Sequence, residues 1–453
     1  MRKKRDNTDL LLYEPNIYKS FIILALPVFA ANFMKAFNEL VDTYFIGQMQ
    51  NSVAAQASIS ITWPLINIFV SFGIGLSIAG VAVISQFLGA DKLKEAKEYA
   101  GILFVLAIIL GLIINVSLYF VCPFVLKAMG AEGLVFDYSV QYVRIRSMEM
   151  VFAMIFAAFQ AVRQSQGDTV TPVILQISAV LVNIVLTATF VQGFGMGVFG
   201  AGLATMIGQV LIAPACIWFL FVVKEPLKLG RKDLKIKDMK KVKRLTYIAM
   251  PSALSQALSS FGFLILNTIV LDYGEVTTAA FTVGNKISSM MLLPVIAIGS
   301  VLAAYVGQNI GAGNTERAEK SYVVSRNLSL IMAFVGCAIV FPIRETVITM
   351  LTNDVNTQKE AMSYIIWVLV TMPLMALFQN YVGVFNGCGK TKFSFIMETA
   401  RLWAIRLPVI MFFKMATGFG SEAIWHAMNI SNLLILFVGA YLFRKIDFKE
   451  KIS

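Results

Sequence analysis

The chain has 453 residues, of which 58% are hydrophobic and only 14% charged, with a formal net charge of +12 and a mean hydropathy of +0.75. Soluble proteins carry about 25% charged residues, so this composition excludes a soluble globular domain. The basic balance raises nucleic acid as a partner, and the placement of the charges excludes it, as shown below.

Twelve apolar runs follow in chain order, near 18–46, 53–88, 97–126, 137–163, 171–193, 198–223, 246–271, 277–310, 318–343, 361–387, 393–415 and 423–443. Each is long enough to cross about 30 Å of hydrocarbon as a helix, and a helix satisfies its own backbone hydrogen bonds there. The short alternating segments of a β-barrel are absent. An all-α polytopic membrane protein is therefore expected. The first run has no small-residue cleavage site after it and reads as a helix that stays in place. Prolines 27, 64, 251, 294 and 373 mark candidate kinks.

The first run ends in "KAFNELVDTYFIGQM", which brings Lys35, Glu39 and Asp42 into an apolar segment. Helical positions i, i+3, i+4 and i+7 share a face, so Asn32, Lys35, Asn38, Glu39 and Asp42 form one stripe. Phe33, Phe37 and Leu40 fall opposite. A charge facing lipid costs about 2.5–3.5 kcal/mol even on the lenient insertion scale, which turns the stripe inward. Lys35 and Glu39, four apart, are spaced to pair, while Asp42 is two turns from the lysine.

Further along, Arg146 and Glu149 in the fourth run are three apart and expected to pair. The fifth run, "ISAVLVNIVLTATF", sets Asn183 and Thr187 one turn apart, and the sixth contributes Thr205 in "GAGLATMIGQ". The seventh lines up Ser252, Ser255, Gln256 and Ser259, a neutral cavity wall, and Lys286 in the eighth is expected to meet a carboxylate across the cavity. Glu398, Arg401 and Arg406 lie in the eleventh, the first two spaced to pair. The single histidine, His426, reads as structural. Cys122, Cys216, Cys337 and Cys388 have no ligand or disulfide spacing. The 22 Met and 35 Phe suit an adaptable pocket and ordinary helix packing equally.

Basic residues cluster at "RKKR" (2–5), around 91–97, in "KEPLKLGRKDLKIKDMKKVKR" (224–244), at Arg317, Lys320, Lys390 and Lys392, and in "RKIDFKEK". The alternate breaks are uncharged at Gln48–Ser52 and Gln192–Val198 and acidic at Asp272–Glu275. This is the positive-inside alternation. It places both termini and the long basic loop in the cytoplasm of a cell-membrane protein and assigns the charge to topology, against an anionic leaflet rather than nucleic acid.

The halves repeat. "ALP" at Ala25–Pro27 is echoed by "AMP" at Ala249–Pro251, "QFLGADKLKEA" from Gln86 by "QNIGAGNTERA" from Gln308, and "GDT" at Gly167 by "GKT" at Gly389. Gly197 and Gly420 open similar sixth and twelfth spans. Six spans separate equivalent points, so the repeat is parallel, about an axis along the membrane normal. Two pseudo-symmetric six-helix lobes around a central cleft are expected: 1–223, a basic linker at 224–245, and 246–453. Repeat-built membrane proteins of this kind favour transport of small molecules.

The motifs "VDTYFIG", "RQSQGDT", "GVFGAGLAT" and "QNIGAGNTERA", in their places across twelve spans, resemble the multidrug and toxic compound extrusion (MATE) family over essentially the whole chain. The resemblance implies a secondary active antiporter that exports amphipathic, often cationic compounds by alternating access in exchange for H+ or Na+, with no other cofactor. Asp42 matches the acidic residue of the family's first-helix motif. Asn183 matches a fifth-span asparagine and Thr205 a sixth-span threonine of the same cavity. Many relatives carry an Asp where this chain has Thr187, so a sodium site in their pattern loses a charge here. Asp42, Glu39, Asn183, Thr187 and Thr205 are the expected coupling residues; Lys35, Asn38, Gln256, Ser259 and Lys286 are the substrate-cavity candidates. At the Asp42-equivalent place the second half has Leu266 and Asn267.

Other readings are weaker. A flippase or exporter of a lipid-linked or other endogenous metabolite, from the same superfamily, would favour a more cationic cavity than the Glu39/Asp42 stripe offers. An intramembrane enzyme would need a catalytic constellation that one lone histidine does not supply, and "GCGKT" (387–391) lacks the spacing of a phosphate-binding loop. A channel would need a filter-like loop. The expected form is a monomer.

Overall fold

A computed structural model describes residues 7–49, 51–416 and 418–452; the basic run at 2–5 lies outside the described residues. Fourteen helices follow one another: α1 (Asn7–Leu12), α2 (Ile17–Gly47), α3 (Ser52–Gly89), α4 (Leu93–Ala128), α5 (Gly133–Ser165), α6 (Val170–Thr187), α7 (Gly197–Phe221), α8 (Met239–Leu271), α9 (Glu275–Ala312), α10 (Thr315–Leu351), α11 (Val355–Gly387), α12 (Thr391–Thr399), α13 (Leu407–Ala416) and α14 (Glu422–Phe443). A π-helical segment, Ala188–Gly193, extends α6, and a second, Ala400–Arg406, joins α12 to α13. Among the described residues, eleven helices are long and apolar enough to cross a membrane, and the composite α12–π–α13 makes the twelfth crossing. The fold is thus all-α with twelve crossings. The helices of the fifth and eleventh runs each contain one of these π segments.

Local chemistry sets the helix ends. The Asn16 side chain accepts from Lys19 N at 3.1 Å, Asn314 from Arg317 N at 3.1 Å, and Asp354 from Thr357 N at 2.7 Å, each satisfying a first-turn N–H. Gly313, at φ 77°, closes α9 in the left-handed region. The five prolines read as kink candidates all lie inside helices that run on through them. Phe33, Phe37 and Leu40 are exposed, as the period of α2 requires for its apolar face.

Each half has its own apolar core, one built mainly on α3, α4 and α5, the other on α8, α9, α11 and α14. A third cluster forms where the start of α2 meets α9 and α10. The segment expected as a linker at 224–245 is shorter, because α8 already begins at Met239. What remains is docked rather than free: Leu227 and Leu229 are buried, and Leu229 N bonds Leu220 O at 2.8 Å. Arg163 of "RQSQGDT" bonds Asp168 Oδ2 through its Nε at 2.7 Å and also pairs with Glu225 of the linker.

The repeat is realised as a reciprocal contact between α3 and α9. A Cβ on Gly89 would stand 1.9 Å from Gln308 O, and one on Gly311 would stand 2.0 Å from Gln86 O. Residues 86 and 89 correspond to 308 and 311 in the internal repeat. The side chains repeat the relation: Gln86 Nε2 donates to Gly387 O at 3.3 Å, and Gln308 Nε2 donates to Ser165 O, the residue equivalent to 387, at 2.5 Å. Glycine is required because the opposing backbone occupies the place of a side chain. Gly89→Ala and Gly311→Ala are each expected to destabilise the purified protein by about 1–3 kcal/mol through overpacking, lowering its melting temperature in detergent, whereas Gly193→Ala, with open space at the Cβ, is expected to leave it unchanged.

Candidate functional site

The first-half site is assembled from α2, α6 and α7. Asp42 lies near the C-terminal end of α2, half-buried. Its Oδ1 accepts from Thr187 Oγ1 at 3.3 Å, and its Oδ2 accepts from Asn38 Nδ2 at 3.1 Å. One turn back on α6, Asn183 Nδ2 donates to Thr205 Oγ1 at 3.1 Å, and that hydroxyl donates to Ala201 O at 3.1 Å. Asn183 and Thr187 are both buried. The Oδ1 atoms of Asn38 and Asn183 are buried and have no hydrogen-bond partner. Four side chains thus present oxygen atoms at or next to one carboxylate, two of them in direct contact with it, and two of those oxygens are open.

The structure therefore groups Asn38, Asp42 and Thr187 directly, with Asn183 and Thr205 adjoining. Glu39 and Lys35 are exposed, and the ion pair their spacing suggested is not formed. Arg146 and Glu149 of α5 do pair, at 2.9 Å. The sequence did not place α5 beside the stripe: Phe156 and Gln160 of α5 line one cavity with Asn32 and Lys35 of α2. Only the third dimension joins α5 to α2. The signal for it was a charged pair in an apolar run.

Gln256, Ser259 and Lys286 do not join this cluster. Gln256 Nε2 bonds Glu398 Oε2 at 3.5 Å, and Ser255 Oγ donates to the same oxygen. Ser259 is half-buried on α8. Lys286 is exposed and, among the described residues, has no carboxylate within ion-pair distance, contrary to expectation. The expected Glu398–Arg401 pair is also absent. Arg401 Nη1 instead bonds Asn432 Oδ1 at 3.3 Å, and Arg406 Nη2 reaches the same oxygen at 2.9 Å. The π-helical segment explains this convergence. In an α-helix, residues five apart diverge by about 140°, whereas i→i+5 closure stacks them on one side. The second half thus has two polar contacts, Glu398 with Ser255 and Gln256 of α8, and Arg401 and Arg406 with Asn432 of α14.

The match to known proteins follows the same two halves. The MatE family model matches residues 27–189 and 251–412, one stretch in each half. The chain belongs to the MatE family. Members of this family are transporters, not enzymes, and they are multi-pass membrane proteins. A MatE relative in Bacillus subtilis (strain 168), probable multidrug resistance protein YoeA, is 23% identical over 95% of this chain and 94% of its own length. Probable multidrug resistance protein NorM of Thermotoga maritima is 25% identical, covering 87% of this chain and 85% of its own. A solved outward-facing multidrug resistance MATE family transporter superposes with a TM-score of 0.92 over 98% of both chains at 21% identity, which supports the fold of this MatE protein.

Arg146→Gln would leave Glu149, 4% exposed, without its partner. The expected cost is about 3–5 kcal/mol, read as a lowered melting temperature of the purified protein. Lys35→Gln breaks no ion pair, and its melting temperature is expected to match wild type.

Proposed function

We propose that this MatE protein is a secondary active antiporter that exports amphipathic, often cationic compounds in exchange for H+ or Na+ by alternating access. The moving units are two lobes, the first ending near residue 223 and the second starting with α8, in a monomer set in the cell membrane with both termini and the basic loops in the cytoplasm. The names of the relatives, multidrug resistance proteins, support the substrate class.

One observation carries the reading: the Asp42 carboxylate inside the helix bundle is held by a hydroxyl and an amide and by no cation within 4 Å. A negative group held by neutral donors is free to take a positive one. Desolvation favours the neutral form of a carboxyl, so proton uptake and cation binding compete for one charge, which is the exchange an antiporter needs. A proton on Asp42 finds an acceptor in a neighbouring amide oxygen; a sodium ion finds hard oxygen ligands in Asp42, Thr187 and the open Oδ1 atoms of Asn38 and Asn183. Thr187 supplies a hydroxyl where a second carboxylate would add charge, so Asp42 carries the titration alone at this point. The acidic character of the site gives no support to a flippase for anionic headgroups.

Efflux of a cationic dye from everted vesicles, driven separately by a proton and by a sodium gradient, tests this. Asp42→Asn is expected to lower gradient-driven efflux about tenfold or more, the equivalent of one lost charge-assisted hydrogen bond; efflux equal to wild type would overturn the assignment, and the effective gradient identifies the ion.

A further inference from the structure

Arg401 and Arg406, on the π-helical segment between α12 and α13, converge on one residue of α14. Asn432 Oδ1 accepts from Arg401 Nη1 at 3.3 Å and from Arg406 Nη2 at 2.9 Å. Arg406 Nε also donates to Ser431 Oγ at 3.0 Å, and that hydroxyl donates to Met428 O at 2.8 Å. Every partner is neutral. Among the described residues, neither guanidinium has a carboxylate within ion-pair distance. Arg406 and Asn432 are each only 2% exposed, and Asn432 lies midway along the membrane-spanning helix Glu422–Phe443. Donors are left over as well. Arg401 Nε is buried without a partner, and among the described residues Arg401 Nη2 and Arg406 Nη1 make no hydrogen bond.

The charges do not cancel. Arginine keeps its proton in proteins, so both guanidiniums are cationic. Glu398, one turn before Arg401, is engaged by Ser255 and by Gln256 Nε2 at 3.5 Å. Lys414 of α13 is paired with Asp272 at 2.7 Å. Even with Glu398 set against one arginine, one positive charge remains. An unmatched ion inside a protein is strongly destabilising, and more so at the depth of hydrocarbon.

We infer that Arg401 and Arg406 together hold one small monovalent anion, a halide, on their free N–H groups. Hydrogen bonds from a guanidinium to an anion are charge-assisted and belong to the strong class. One negative charge matches the surplus. The burial of Arg406 and Asn432 limits the ligand to very few atoms. Phe378, whose ring centroid lies 4.6 Å from the Arg401 guanidinium carbon, and Met375, whose sulfur accepts from Arg401 Nη1 at 3.5 Å, offer polarizable walls. Those walls suit a halide better than a strongly hydrated oxyanion. The bound ion ties the π-helical segment to α14. It is separate from Asp42 and does not depend on the exchange reaction proposed above.

The test is thermal unfolding of the purified full-length protein in sodium chloride, bromide, acetate or gluconate at equal ionic strength. Chloride and bromide are expected to raise the melting temperature above its value in gluconate along a saturating curve, by about 2–4 °C. Asn432→Asp puts a carboxylate where both guanidiniums already point. This variant is expected to lose the halide dependence and to melt in gluconate no lower than wild type. Arg401→Gln leaves Glu398 and Arg406 in balance and is expected to lose the dependence too, whereas Lys35→Gln, in the other half, keeps it. A wild-type melting temperature indifferent to the anion, or a halide effect that survives unchanged in Asn432→Asp, overturns the proposal. Stabilisation by acetate without chloride overturns the halide and gives the site to a carboxylate ligand.

Discussion

Charge inside hydrocarbon is the constraint under which this chain is built. Each buried ion must find a partner, a set of dipoles or a wet cavity, because solvation lost in the membrane is otherwise worth several kcal/mol. The three devices all occur, in different places. Arg146 and Glu149 use direct pairing. Arg401 and Arg406 use a shared neutral oxygen on Asn432. Lys35 uses a cavity. Asp42 stands apart, since its donors are a threonine hydroxyl and an asparagine amide, which hold the carboxylate without cancelling its charge.

The two halves share a scaffold but not a chemistry. In the first, acidic side chains from α2 sit beside an asparagine, two threonines and a balanced pair. In the second, a lone Glu398 is tied to α8, and the guanidiniums point to α14. The difference is carried by few positions, Leu266 and Asn267 standing where Asp42 has its place in the repeat. The contact between α3 and α9 is almost identical from either side. Scaffold and site have separated within one duplicated framework.

Much of this was legible in the sequence. Length of the apolar runs, the period of the polar stripe and the internal repeat give twelve crossings and the half-buried Asn32, Asn38 and Asp42 of α2, because these depend on neighbours along one helix; Lys35 and Glu39 of the same stripe are exposed. The Arg146–Glu149 pair was legible for the same reason. What was not legible depended on which helices touch. Spacing allowed Lys35–Glu39 and Glu398–Arg401 to pair, yet spacing says nothing of the competing partners: Ser255 and Gln256 take Glu398, and the π-helical turn swings Arg401 toward Asn432. The cavity at Lys35 draws Gln160 and Gln176 from distant runs, and a glutamine in an apolar run carries no mark of where it points.

The reciprocal contact of α3 and α9 has a consequence of another kind. Gly89 meets the backbone at Gln308, and Gly311 meets it at Gln86, so position i of one half touches position j of the other while j touches i. That is the rule of an isologous interface between two copies of one subunit. A six-helix half bearing this Gln and Gly would satisfy the contact with a second copy of itself, as a homodimer does. Joining the copies in one chain keeps that geometry and lifts the requirement that both carry the same side chains. A dimer-like symmetry within one chain, free to be broken one residue at a time, lets one lobe hold Asp42 while its twin holds a pair of arginines.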